Sequence, residues 1–212
     1  MKAGEDQGQA FPLYVGMVAI LLFAAFAFVA VGMAGATRSQ GQGAADAAAL
    51  AAARDARDRV FEGIDLEGLK REDWQKILEG GSFDAEAGCR AAQTFAGLNA
   101  SAEGGVECGA DLPRFTVALQ TDDVVGSSVV AGTDQVHATA RATAVIEGAC
   151  WLTSDPTPTP SPTSPPDDGS DKTDPEPVNF ECDDARTIKL DPMHPGELRD
   201  LARQLFKVRL DD

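Results

Sequence analysis

The chain has 212 residues, a formal net charge of −16 and four cysteines. A phosphate backbone is bound by concentrated Lys and Arg, and no basic cluster of five or more occurs here, so nucleic acid is excluded as a natural partner. A long apolar N-terminal segment and a proline-rich stretch leave roughly 120 residues for a water-soluble core, enough for one modest domain.

Residues 1–9 lack apolar periodicity and read as a short exposed tail. No charge occurs between Asp6 and Arg38. As a helix, residues 10–36 would extend roughly 40 Å, more than the roughly 30 Å hydrocarbon core requires, which predicts one tilted transmembrane helix in the bilayer. Pro12 falls in the first turn, where amides lack intrahelical partners anyway. The competing reading is a cleaved secretory signal, for which Ala34, Gly35 and Ala36 supply an A-x-A pattern before Thr37. The apolar run is longer than a signal core and its N-terminal flank is not basic, which favours a retained anchor. Lys2 and Arg38 balance across the span and leave its orientation open. The cysteines, all downstream and none in a CxxC pair, fit a disulfide-permissive compartment. They place the N-terminus in the cytoplasm and the C-terminal part outside the cell membrane.

Residues 37–63 predict an alanine-rich amphipathic helix, with Arg54 to Asp58 and Asp55 to Arg59 as i,i+4 pairs on its exposed side. Gly41 and Gly43 allow a bend. Ala45, Ala49, Ala52, Ala56 and Val60 form a stripe of small residues against which a second helix could approach closely. Burial on the chain's own C-terminal domain would satisfy the same stripe equally well. In this reading the helix is a stalk and the remainder its cargo.

Residues 64–152 and 179–212 read as one extracytoplasmic α+β domain. Its expected elements begin with a helix over Glu72–Leu78 ended by Gly80 and Gly81, and another over Phe83–Phe95 that stops at Gly97. A polar loop follows to Cys108. Strands are expected over Arg114–Thr121 and Val136–Glu147, paired around Gly126 and Gly132, with a third short strand over Val124–Ala131. Residues 153–178, containing TPTPSPTSPP, have too little apolar surface to repay ordering and predict an extended, disordered insertion or an O-glycosylated stalk. A strand at Thr187–Leu190 and a helix within Pro195–Leu210 then resume the domain.

Four cysteines permit three connectivities; nearest neighbours would join Cys89 to Cys108 and Cys150 to Cys182, the second bond clipping the proline-rich segment at its base. Their spacing does not suit a zinc site. His137 and His194 read as surface or capping residues rather than bases, and catalysis would require His137 beside Asp122 or Asp123 in a cleft. No nucleophile-elbow, zincin or phosphate-loop motif occurs. The acidic run Asp167–Glu176 lacks the glycine position of an EF-hand loop and reads as solvated linker. Asn99-Ala100-Ser101 matches a glycosylation acceptor. No catalytic residue, cofactor or metal is expected.

The junction GQAFPLYVGMVAILLFAAFAFVAVGMAGATRSQGQGAADAAALAAARDA resembles the N-terminal segment of TadG-like proteins, in the TadE/TadG family of Tad/Flp (type IVb) pilus and secretion systems, especially those of actinobacteria. Gly8-Gln9-Ala10, the uninterrupted apolar run and residues 44–53 carry the likeness. The resemblance implies a bitopic, pilin-like membrane protein without enzymatic activity, whose N-terminal helix meets other pilin-like or Tad assembly proteins. No D-x-S-x-S motif is present, so the von Willebrand A domain of some relatives is not expected. The fifth residue after Gly8 is Leu13 rather than a glutamate, so prepilin-peptidase processing is not implied. The alternative is a membrane-tethered adhesion or ligand-binding module unrelated to pili.

Overall fold

The computed structural model describes residues 10–99, 101–124, 137–153 and 177–211. Outside them lie the N-terminal tail, the expected strand beyond Val124, the proline-rich segment with its acidic run, and Ala100 of the glycosylation acceptor.

The first element, α1, is a single helix of 49 residues, Ala10–Asp58. It runs through both glycines, where a bend was allowed, without interruption. Gly41 is buried, and a Cβ at that position would lie 3.0 Å from Thr121 Cγ2 and 3.7 Å from Ala140 Cβ. That glycine is where the helix approaches the sheet most closely; it is not a hinge. After a turn through Gly63, α2 spans Arg71–Leu78. Gly81 N–H donates to Lys76 O and Gly80 N–H to Ile77 O, with Gly80 at φ +90°, so the expected glycine pair closes the helix as a Schellman motif. The helix α3, Ala85–Leu98, starts where Asp84 accepts from Ala87 N–H at 2.9 Å and passes through Gly97.

Four strands form an antiparallel sheet in the order β1-β2-β3-β7: β1 is Ser101–Asp111, β2 Arg114–Val124, β3 His137–Gly148 and β7 Phe206–Leu210. A cis Leu112–Pro113 bond makes the tight turn from β1 to β2. A second sheet joins β4 Cys150–Leu152, β5 Val178–Cys182 and β6 Thr187–Leu190. The helix α4, Leu198–Leu205, leads directly into β7. The expected α+β class holds, but the segment read as a loop before Cys108 is strand β1. GGVECGAD has neither alternation nor β-branched density; it is held by pairing with β2 and by the bond from Cys108 to α3.

The stalk reading also needs correction. Ala45, Ala49, Ala52, Ala56 and Val60 are all buried in the chain's own core, which also contains Phe115, Val117 and Leu119 of β2 and Ala142, Ala144 and Ile146 of β3. Alanine at each turn lets α1 lie close over the sheet, and α3 packs beside it on Gly88, Ala92 and Ala96. Residues 41–61 are therefore the spine of the domain. Farther along the same core, Trp74 sits edge-on to Phe180 with ring centroids 5.4 Å apart and close to Phe61, under the small sheet.

Cys89–Cys108 ties α3 to β1, with Cα atoms 5.5 Å apart. Cys150–Cys182 joins directly opposed residues of β4 and β5. Thr153 N–H donates to Asn179 O at 3.1 Å, so both ends of the proline-rich segment leave from one fixed base.

Candidate membrane and partner surface

Within α1, Phe11–Val29 is long and apolar enough to cross a membrane, and none of it is buried in the chain. A core helix would hide such a segment; here its large side chains, from Phe11 through Val31, all stand free. Arg38, Ser39 and Gln40 form a short exposed polar collar, and burial begins at Gly41. No loop separates the apolar half of the helix from the packed half.

The packed half is fastened at both ends. Near the collar, Gln42 Nε2 donates to Asp46 Oδ1 at 2.8 Å and to Arg141 O at 3.2 Å, joining α1 to β3. At the far end Asp58, with 16 % of its side chain exposed, accepts from Arg203 Nη2 of α4 at 2.7 Å and pairs with Arg57 Nη2 at 2.8 Å. Burial alone would raise the Asp58 pKa, but the hydrogen bonds and charges of Arg203 and Arg57 outweigh it and hold the carboxyl below its ordinary value.

With the alanine stripe consumed by the sheet, what α1 offers outward is its other side. There a shallow groove of about 520 Å³ runs between α1 and α3, lined by Ala47, Leu50, Ala51, Ala91, Thr94 and Phe95, with the charged Arg54, Asp55 and Asp58 also on its wall. Sequence reasoning missed it because the stripe drew attention to the wrong face. Leu50, the one large apolar residue in a run of alanines off the stripe, was the available signal.

The two disulfides staple the domain and have no free thiol beside them. His137 Nδ1 is 2.7 Å from Thr121 O at the start of β3, and His194 Nδ1 is 3.4 Å from Asp191 Oδ2. Each histidine thus meets a local partner. Among the described residues no group of three or more His, Cys, Asp or Glu is placed to hold a metal ion.

A family likeness falls on this geometry, an exposed membrane-length helix passing unbroken into a buried alanine stripe. Residues 8–55 match the family model described as putative Flp pilus-assembly TadE/G-like. The TadE/G-like segment takes in the apolar span, the collar and the stripe as far as Ala52, and ends just before the Arg57–Asp58–Arg203 cluster. It supports a role related to the Tad/Flp pilus. No curated protein and no solved structure matches the chain.

Proposed function

We propose that the chain is a membrane-anchored, pilin-like component of a Tad/Flp pilus assembly or secretion system. In this reading Phe11–Val29 lies in the bilayer, the N-terminus is cytoplasmic, and the disulfide-stapled domain stands outside. It acts by contact with other pilin-like or Tad assembly proteins through the N-terminal helix, and the half-buried groove side of that helix, including Ala47, Leu50 and Ala51, is the surface such a partner would meet. The observation that carries this reading is the position of the TadE/G-like match across the junction of span and domain. A likeness confined to an anchor would not extend into the domain's first buried turns; a likeness in a segment that both spans and packs does.

The test is photo-crosslinking in the membranes of the cell that makes the protein, with a crosslinker at Leu50 and a control at Lys189, on exposed strand β6. Adducts at Leu50 with another pilus-system protein, and loss of pili on Ala47→Leu with the stability of the domain unchanged, are expected. Normal pili in a strain lacking the chain would overturn the proposal and favour a tethered adhesion module. Bulky changes on the alanine stripe cannot serve as this test, because they would disrupt the domain itself.

A further inference from the structure

We propose that the cavity between the start of α2 and the small sheet binds a carboxylate, held by the Lys70 ammonium at its surface and by the indole N–H of Trp74 in its depth. The cavity encloses about 790 Å³, within the roughly 300–1,000 Å³ of ordinary ligand sites. It lies outside residues 8–55, so the TadE/G-like likeness does not account for it. One side is the turn that leads into α2, where Leu66 and Trp74 enter the core while Lys70 and Arg71 stay at the surface. The other side is formed by the ends of β4 and β5, with Leu152 and Val178 half-buried beside it. Arg71 Nη2 donates to Thr153 O at 2.7 Å and ties the two sides together.

Trp74 carries the group that needs a ligand. The residue is 1 % exposed, and its Nε1 is, among the described residues, the one buried side-chain nitrogen or oxygen without a hydrogen-bond partner. A buried donor without an acceptor loses its hydration and gains nothing for it, and buried indoles ordinarily find a partner. Phe61 and Phe180 hold the ring by aromatic contacts, at 6.0 and 5.4 Å between centroids, and neither lines the cavity. The cavity is therefore the side from which an acceptor reaches the indole.

Charge decides which acceptor. The wall carries Lys70 and Arg71 against the single carboxylate of Glu67, a local excess of positive charge in a chain of net −16. Lys70 engages Asp73 through its backbone N–H, at 3.1 Å, and its side chain makes no ion pair among the described residues; the Asp73 carboxylate is paired with Lys76 at 3.6 Å. A carboxylate meets both needs, one oxygen accepting from the indole and the charge answering the ammonium. An amine would be repelled, and a neutral carbonyl would leave the positive charge unanswered. Leu66, Leu152 and Val178 beside these groups favour an aliphatic stem over a bare anion. Both a separate molecule and the chain's own acidic residues could supply such a carboxylate, and the experiment separates the two.

Nuclear magnetic resonance of the full chain in detergent micelles, labelled with nitrogen-15 at tryptophan, tests this. The chain has two tryptophans, so two indole N–H signals arise, and that of Trp74 is the one lost in Trp74→Phe, which keeps an aromatic ring in place. Butyrate supplies a carboxylate on a propyl stem, and butyramide is its neutral control. The expected result is a saturable downfield shift of the Trp74 indole proton with butyrate, none at the exposed Trp151, little with butyramide, and a Kd raised several-fold by Lys70→Gln. The titration is repeated on a variant in which every Asp and Glu from Asp155 to Glu176 is changed to its amide. A response in the parent shows a site open to a separate ligand; a response in that variant alone shows that the chain's own carboxylate occupies it, and both support the proposal. No response in either chain overturns it, as does an equal response to butyramide. An indole proton that sits upfield and ignores butyrate would place the N–H on the face of Phe61 or Phe180 and would overturn it too.

Discussion

Gly88 stands where α1, α3 and β2 converge. An added Cβ would come 2.5 Å from Phe115 Cε1 and 3.0 Å from Ala52 O, and Phe115 is fully buried, so neither neighbour can retreat easily. Gly88→Ala gains helix propensity of about 1 kcal/mol but overpacks a dense junction at about 1–3 kcal/mol, and a net loss of up to about 2 kcal/mol is expected. At Gly43, also helical and exposed, a Cβ would meet nothing within 4 Å. Gly43→Ala should therefore stabilise by up to about 1 kcal/mol. Urea unfolding of the two variants checks the opposite signs, and destabilisation by both would sink the distinction. Asp58 gives a pH signature at the same scale. Its carboxyl is held below the ordinary value in the fold, so the stability it contributes is present above the unfolded value of about 3.9 and disappears as pH falls through the folded value. Asp58→Asn should cost about 1–3 kcal/mol at pH 7, because the neutral amide keeps one acceptor oxygen and turns an NH2 donor toward a guanidinium where a carboxylate had paired with Arg57 and Arg203. The gap to the parent should narrow near pH 3, as measured by urea midpoints at both pH values.

At the scale of one element, α1 has two sides with different tasks. Ala49 is buried against the core, whereas Ala47 faces the groove beside α3. Ala49→Leu is expected to destabilise by about 1–3 kcal/mol by overpacking, while Ala47→Leu stays within about 0.5 kcal/mol. If Ala47→Leu also abolishes pilus assembly with stability intact, the groove is the working face; comparable unfolding by both would contradict the burial pattern. The i,i+4 recurrence of small residues made the buried stripe legible in the sequence, but periodicity says that a face is covered and not what covers it. The Schellman end of α2 was legible for a local reason, the Gly80-Gly81 pair. Strand β1 was not, because what makes SAEGGVECGAD a strand is long-range: its pairing with β2 and the Cys89–Cys108 bond. The groove between α1 and α3 was not legible either, because it depends on α3 folding back along α1, which no local pattern states.

For the molecule as a whole, the unbroken α1 means that the domain is joined to its apolar segment without a flexible linker, and that the boundary between them is a collar rather than a loop. Burial begins at Gly41, and nothing N-terminal to it among the residues with described side chains is covered by the domain. A chain begun at Ser39 should accordingly be freely soluble and fold with both disulfides, since it keeps the Gln42 contact, the full alanine stripe and the Asp58 cluster. A chain begun at Asp65 should fail, because it removes the helix that covers Phe115, Val117 and Ala144, and a sheet with an open apolar face has no core to repay its ordering. Circular dichroism together with non-reducing mass spectrometry distinguishes the outcomes. Cooperative unfolding of the Ser39 chain with Cys89–Cys108 and Cys150–Cys182 formed is expected, and scrambled bonds in the Asp65 chain. If the chain begun at Asp65 folded as well as that begun at Ser39, α1 would be a stalk after all, and the core of the domain would not depend on the helix that continues from the apolar segment.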